Sequence, residues 1–354
     1  MIPVSATEYV NVRIRAFHSR LFRRETYDTL MDADNLAALT TYLLDSPVYH
    51  EDMEEALNGL AEREWLEQGV TDHFGRCVSH VFNMADGRLR NLFKIALASF
   101  DMKNLRVVIL ARTRGLQHHD VREMAVPCGV LDNSRITALL EASNIASMTE
   151  SLATCCPIMA SAVRYAGKST GEDDSAVSLL NKLEQGFFQH VLRLLDANDA
   201  DAAALRDVYR FEIDLKNIAS ALKYVWGGGH RGGYIKEEYI EGGSLGDDFL
   251  DGIAHASKLE DALEMIELTR YHEAVEKGII YYAETGFFHE MERFFEEVFI
   301  RKTQSFKRFQ PFGIGPFIAY VWAHFAEVTN LRTIINGIAF KTGAGQMRKG
   351  LLYV

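Results

Sequence analysis

Asp101-Met102-Lys103-Asn104-Leu105-Arg106 decides how this sequence is organised, because it returns twice. It recurs as Asp214-Leu215-Lys216-Asn217-Ile218-Ala219 and as Glu327-Val328-Thr329-Asn330-Leu331-Arg332, and both spacings are 113 residues. Flanking markers keep step. Gly129 and Gly242 each lie 28 residues after their motif, and Val354 lies 27 after the third. Earlier come Ala33-Asp34-Asn35-Leu36, Ala142-Ser143-Asn144-Ile145 and Ala256-Ser257-Lys258-Leu259, which are 109 and then 114 residues apart. The string acid-x-x-Asn-apolar also fits Asp32…Asn35, Glu141…Asn144 and Glu8…Asn11. The equal spacing, more than the letters, therefore carries the repeat.

Working outward, the periodicity is helical. Phe74, Cys77, Val78, Val81, Phe82 and Ala85 follow the i, i+3, i+4 rule, as do Leu89, Leu92, Phe93, Ala96, Leu97 and Phe100 after the Asp86-Gly87 break. Ser46-Pro47 reads as a helix start, and Ser257-Lys258-Leu259-Glu260 as a capping box. No series of alternating strands with hairpin turns is present. The expectation is an all-α chain of three helical modules. They are 1–133 with an N-terminal lead-in helix, 134–249, and 250–354. On a helix, an acid at i and an Asn at i+3 share one face. Buried there, Asp101, Asn104, Asp214, Asn217, Glu327 and Asn330 need hydrogen-bond partners on a facing helix or loop backbone. They are read as structural determinants of the module. A ligand site would require the three copies to converge on one cavity.

Composition narrows the function. The 354 residues are 48% hydrophobic, enough for a large core, and contain only six prolines. The net charge of -11 divides as -3, -4 and -4 over 1–113, 114–226 and 227–354. No third offers a nucleic-acid-binding face. Arg301-Lys302-Thr303-Gln304-Ser305-Phe306-Lys307-Arg308-Phe309 could touch phosphates or an acidic partner, but such a run is more often a solvated helix face. Cys77, Cys128, Cys155 and Cys156 show no disulfide or CxxC pattern, which fits a reducing, cytoplasmic setting. The N-terminus lacks a signal-peptide layout. The longest apolar run, Gly313 to Ala326, is shorter than the ~20 residues of a membrane span.

Motifs for chemistry fail on their context. Gly167-Lys168-Ser169 lacks the first glycine of a P-loop, since Ala162 stands there, and Glu172-Asp173-Asp174 would repel a triphosphate. Gly227-x-Gly229-x-x-Gly232 matches a dinucleotide fingerprint by letters, but it follows an apparently helical stretch with no βαβ unit. His73, Cys77 and His80 share a helical face at i, i+4 and i+7, yet lack a fourth zinc ligand and sit among core residues. His118-His119-Asp120 reads as a polar turn and helix cap. No catalytic, cofactor-binding or metal-ligating residue is assigned, and the chain is not expected to be an enzyme in its own right.

Tyr9-Val10-Asn11-Val12-Arg13-Ile14-Arg15-Ala16, Phe100–Arg106, Glu212–Ile218, and the stretch from Pro311-Phe312-Gly313-Ile314-Gly315-Pro316 through Glu327–Arg332 to Leu352-Tyr353-Val354 together carry a resemblance. In that order and at that length, the chain resembles the C subunit of the bacterial and archaeal V/A-type rotary ATPases. The eukaryotic counterpart is the V-ATPase d subunit. The resemblance implies a funnel of three helical domains in pseudo-threefold arrangement. It implies a peripheral place on the cytoplasmic side of the membrane, on the proteolipid ring of the membrane sector, with the D and F subunits of the central stalk at the other end. The role implied is passage of torque between the ATP-handling head and proton or sodium movement, with no cofactor and no nucleic acid. Two other readings stand beside it: a free-standing helical repeat scaffold that binds proteins, and a helical enzyme with a site near the Gly167 or Gly227 loops.

Overall fold

The computed structural model describes residues 6–57, 61–169, 176–196, 198–226, 238–285 and 289–353. The Gly227–Gly233 run, the Thr170–Asp174 stretch and Val354 lie outside the described residues. Among the described residues there are eighteen helices and no strand, so the chain is all-α.

After α1 (Ala6–His18), the helices fall into three runs of five. The first is α2 (Arg24–Met31), α3 (Leu36–Asp45), α4 (His50–Ala56), α5 (Glu62–Met84) and α6 (Gly87–Arg114), followed by a short α7 (His118–Met124). The second is α8 (Asn133–Glu141), α9 (Ile145–Cys155), α10 (Pro157–Ser169), α11 (Ala176–Leu194) and α12 (Ala200–Trp226). The third is α13 (Asp247–Ala254), α14 (Leu259–Glu267), α15 (His272–Thr285), α16 (His289–Phe309) and α17 (Gly315–Ala339), followed by a short α18 (Ala344–Gly350). Each run closes on two long helices: 23 and 28, 19 and 27, then 21 and 25 residues. The repeated motif occupies the last helix each time, in α6, α12 and α17.

The chain divides into two compact units, Met1–Ser151 with Thr303–Val354, and Leu152–Lys302. The first is built around α17, in which every residue from Pro316 to Ala326 is buried. It packs against α1, α2, α3 and α5. Phe317 stacks on Phe93 of α6 with ring centroids 3.6 Å apart, and Trp322 lies 4.8 Å from Phe100. Gly313–Ala326 is thus a core segment, and no helix among the described residues is long and apolar enough to cross a membrane. The apolar period in α5 and α6 faces the same core: Phe74, Val78, Val81, Phe93 and Phe100 are fully buried. Each such aromatic contributes on the order of 2 kcal/mol of burial free energy. In the second unit α10 packs on α11, and α12 on α13. Phe187, Phe188 and Tyr209 meet edge to face at 4.9 to 6.1 Å.

Helix ends differ from the sequence expectation in two places. Ser46-Pro47 opens a turn, and α4 begins three residues after Pro47, at His50. The capping box at Ser257 does not form. The helix starts one residue later, with Lys258 as an N-cap that makes no side-chain bond. Glu260 then sits one position too early to reach back to the cap. At α7 the expected cap is present, with Asp120 Oδ2 accepting from the Gln117 N–H at 2.8 Å.

Candidate functional site

The six motif residues are buried, none more than 3% exposed. Each Asn forms a closed pair with the N–H and C=O of a single residue. Asn104 Nδ2 donates to the Val126 carbonyl at 2.9 Å, and its Oδ1 accepts from the Val126 N–H at 2.7 Å. Asn217 holds Ile240 at 2.9 and 2.8 Å, and Asn330 holds Leu352 at 2.9 and 2.7 Å. A primary amide matches one residue's N–H and C=O acceptor for donor, so the pairing satisfies both partners in an apolar setting. Val126 and Leu352 each lie two residues beyond a short helix, α7 or α18. The Asn therefore fixes the chain as it leaves that helix.

The acids hold the start of the next run of helices. Asp101 accepts from the Val130 N–H at 3.1 Å and the Leu131 N–H at 2.8 Å, and Leu131 immediately precedes Asp132, the N-cap of α8. Asp214 accepts from the Ser244 N–H at 2.8 Å and the Leu245 N–H at 3.1 Å, and Leu245 immediately precedes Gly246, the N-cap of α13. The Asp214 carboxylate also receives the hydroxyls of Ser244 and Tyr271. Glu327 accepts from the Phe22 N–H, and Phe22 immediately precedes Arg23, the N-cap of α2. Its other oxygen takes the Tyr49 O–H at 2.6 Å. The third acid thus repeats the bond of the first two on a segment 305 residues away. Both oxygens of each carboxylate accept N–H or O–H donors, which suits anchoring.

Two glycines make room for the acids. A Cβ at Gly129 would collide with the Asp101 carboxylate, and one at Gly243 with that of Asp214. The counterpart of Gly129 is therefore Gly243, where the sequence spacing pointed to Gly242. One extra residue lies in this copy, as the Asn bonds show: they span 22 residues in the first and third copies and 23 in the second. Gly242 takes the left-handed turn that absorbs it, with φ of 99°.

A second polar cluster lies beside Glu327. His73 Nδ1 bonds Asp52 Oδ2 at 2.7 Å, and Arg76 reaches the other oxygen of Asp52 at 2.6 Å. Burial works against the His73 imidazolium, but the Asp52 bond, with Cys77, outweighs it and raises the pKa to about 9. Burial holds His324 well below its usual range, and His73 and His18 add to that. Burial pushes the Glu327 carboxyl up to about 7, against the Tyr49 and Phe22 hydrogen bonds and the His73 charge. On the far side of α5, Glu67 takes Asn336 Nδ2 at 2.6 Å and Arg63 at 3.1 Å, with Arg332 at 3.6 Å. This group borders a cleft of about 470 Å³ between α5, α7 and α8.

The other sequence candidates are placed as follows. His73 and Cys77 touch, with Sγ 3.5 Å from Nε2, while His80 is exposed and meets the edge of Phe17. No group of three or more His, Cys, Asp or Glu side chains among the described residues is arranged to hold a metal. Gly167-Lys168-Ser169 is the last turn of α10. In the basic run, Arg301 pairs with Glu273 at 2.7 Å and Lys302 with Asp207 at 3.0 Å, whereas Lys307 meets His18. Sequence reading did not single out Phe22, Tyr49, Asp52, Glu67 or Tyr271. One usable signal existed: Tyr49 and Tyr271 each stand directly before the third helix of their run.

Comparison with known proteins gives one consistent result. The chain is 24% identical over 337 residues to the C subunit of the A-type ATP synthase of Haloquadratum walsbyi, covering 94% of each chain. It is 24% identical to that of Haloferax volcanii, covering 94% and 93%, and 21% identical to that of Methanocaldococcus jannaschii, covering 95% and 84%. The model of the ATP synthase (C/AC39) subunit family matches residues 10–349. Nearly the whole chain, including all three copies of the buried acid and Asn, falls inside that match, and the protein belongs to the ATP synthase (C/AC39) subunit family.

Proposed function

We propose that this chain is a non-catalytic rotor subunit of an A/V-type ATP synthase, seated peripherally on the cytoplasmic face of the membrane. It couples the D and F subunits of the central stalk to the proteolipid ring, and so supports ATP-linked proton or sodium transport. Its architecture is a funnel of three pseudo-threefold modules. The observation that carries this reading is the repeated anchoring of the next run's first helix by a buried acid, with Glu327 returning to Phe22. A torque-bearing part must resist shear between modules, and buried hydrogen bonds to a carboxyl group at each join supply that resistance. Nucleotide chemistry would then belong to other subunits.

Affinity capture of the tagged full-length chain from its own membranes tests the proposal. The expected result is co-purification of the stalk subunits and the proteolipid ring in detergent. Capture of soluble peptide partners alone would favour a free-standing scaffold and reject the coupler. Stoichiometric nucleotide or metal on the purified chain would reject a non-catalytic role.

A further inference from the structure

The molecule is acidic, yet one surface of the first unit gathers cations that are not paired with acids. Two adjoining clefts, of about 510 and 150 Å³, share His18 and Lys307. Arg23 and Arg24 line the larger and Arg15 the smaller. None of Arg15, Arg23, Arg24 or Lys307 has an ion pair with a carboxylate among the described residues. Elsewhere Arg63, Arg76, Arg301 and Arg348 all do. Lys307 instead points its ammonium at His18 Nε2, 2.9 Å away. Burial and that ammonium together hold His18 below its usual range.

The backbone adds to the field. α2 begins at the larger cleft, and its N-cap, Arg23, makes no side-chain bond to the first-turn amides. The Arg24 and Glu25 N–H groups, which precede the first bonds to the Arg23 carbonyl, and the helix dipole favour an anion at this end. One acid, Glu25, lines the same cleft and opposes the cations there. Uncompensated like charges in one cleft raise each other's free energy, and a bound anion relieves all of them together. Guanidinium forks and an ammonium lining one cleft suit a tetrahedral phosphate oxyanion better than a single planar carboxylate. Phe312, 61% exposed with the Arg15 guanidinium 5.6 Å over its ring, and Phe309, 79% exposed, add apolar surface nearby.

We propose that this cleft binds a phosphate-bearing ligand, with Arg23, Arg24 and Lys307 on its oxygens and the open start of α2 beneath it. The phosphate belongs either to a phospholipid headgroup or to a free polyphosphate. The cleft abuts the Glu327 anchor at Phe22 but uses none of the six motif side chains, and the proposal does not depend on the rotor role.

The test uses the full chain with two probes: inorganic pyrophosphate by calorimetry, and sedimentation with phosphatidylcholine vesicles that contain or lack phosphatidylglycerol. Pyrophosphate binding assigns a free phosphate. Binding to the phosphatidylglycerol vesicles alone assigns a headgroup. In either case R23Q/R24Q/K307Q should weaken binding about tenfold or more, since charge-assisted contacts are lost. E25Q should strengthen it. All four side chains are exposed, so unchanged circular dichroism is expected in every variant. Pyrophosphate should also raise the His18 ring pKa by NMR in the unmodified chain. Failure of both probes to bind, or binding that the triple variant keeps, overturns the proposal. So does displacement of pyrophosphate by polyglutamate as readily as by tripolyphosphate, which would assign an acidic protein segment instead.

Discussion

Glu327 is one methylene longer than Asp101 and Asp214, and its burial changes its own hold on a proton. Burial is the main reason its carboxyl rises from 4.5 to about 7. The folded state therefore binds this proton more tightly than the unfolded state. The associated stability is fully present below pH 4.5 and is lost as pH rises through about 7. The gap corresponds to about 3 kcal/mol. His73 moves the same way over a higher window, from 6.5 to about 9, so its share is lost as pH climbs through that range. Glu327→Gln separates the two groups. It should flatten urea midpoints between pH 4.5 and 7 while leaving the decline toward pH 9 in place. A variant whose low-pH slope matches the parent would assign that slope to another group.

At the scale of elements, the joins held by Asp101 and Asp214 depend on glycine as well as on acid. Gly129→Ala puts a methyl group onto the Asp101 carboxylate and forces it off the Val130 and Leu131 amides. The expected cost is about 1–3 kcal/mol, typical of overpacking at a fixed site. Gly345→Ala, inside α18 with open space around it, should instead stabilise by up to ~1 kcal/mol. Denaturant midpoints of the two variants check both signs. These joins also mark how far the sequence could be read. The 113-residue spacing and the helical period pointed to α6, α12 and α17 and to the acid and Asn that each carries, because both depend on local order along the chain. The spacing placed the second glycine one residue early, because an extra residue in a turn leaves no trace in helical periodicity. Ser257 had the letters of a cap, but letters do not fix which residue leaves the helix first. The partners of Glu327 were out of reach, since Phe22 and Tyr49 lie 305 and 278 residues from it and nothing local marks them.

Over the whole molecule, that long-range bond explains why the third acid is Glu. Asp101 and Asp214 anchor amides 30 and 31 residues ahead, delivered to them by a connected loop. Glu327 meets a segment that no short loop delivers, so the side chain itself must span the gap, and one more methylene supplies the reach. Repeat arrays open most readily where neighbouring units are not covalently continuous. Glu327→Asp should therefore retract the carboxylate from the Phe22 N–H and the Tyr49 hydroxyl, leaving the buried Tyr49 donor unmet at about 1–3 kcal/mol and the half-buried Phe22 N–H at less. The loss should be local before it is global. Hydrogen exchange should quicken at Phe22 and through α2 (Arg24–Met31), while the amides of α6 around Asp101, whose own anchor is intact, keep their protection. Uniform acceleration across both segments would mean that Glu327 supports general core packing. Unchanged exchange in α2 would mean that other contacts hold this join.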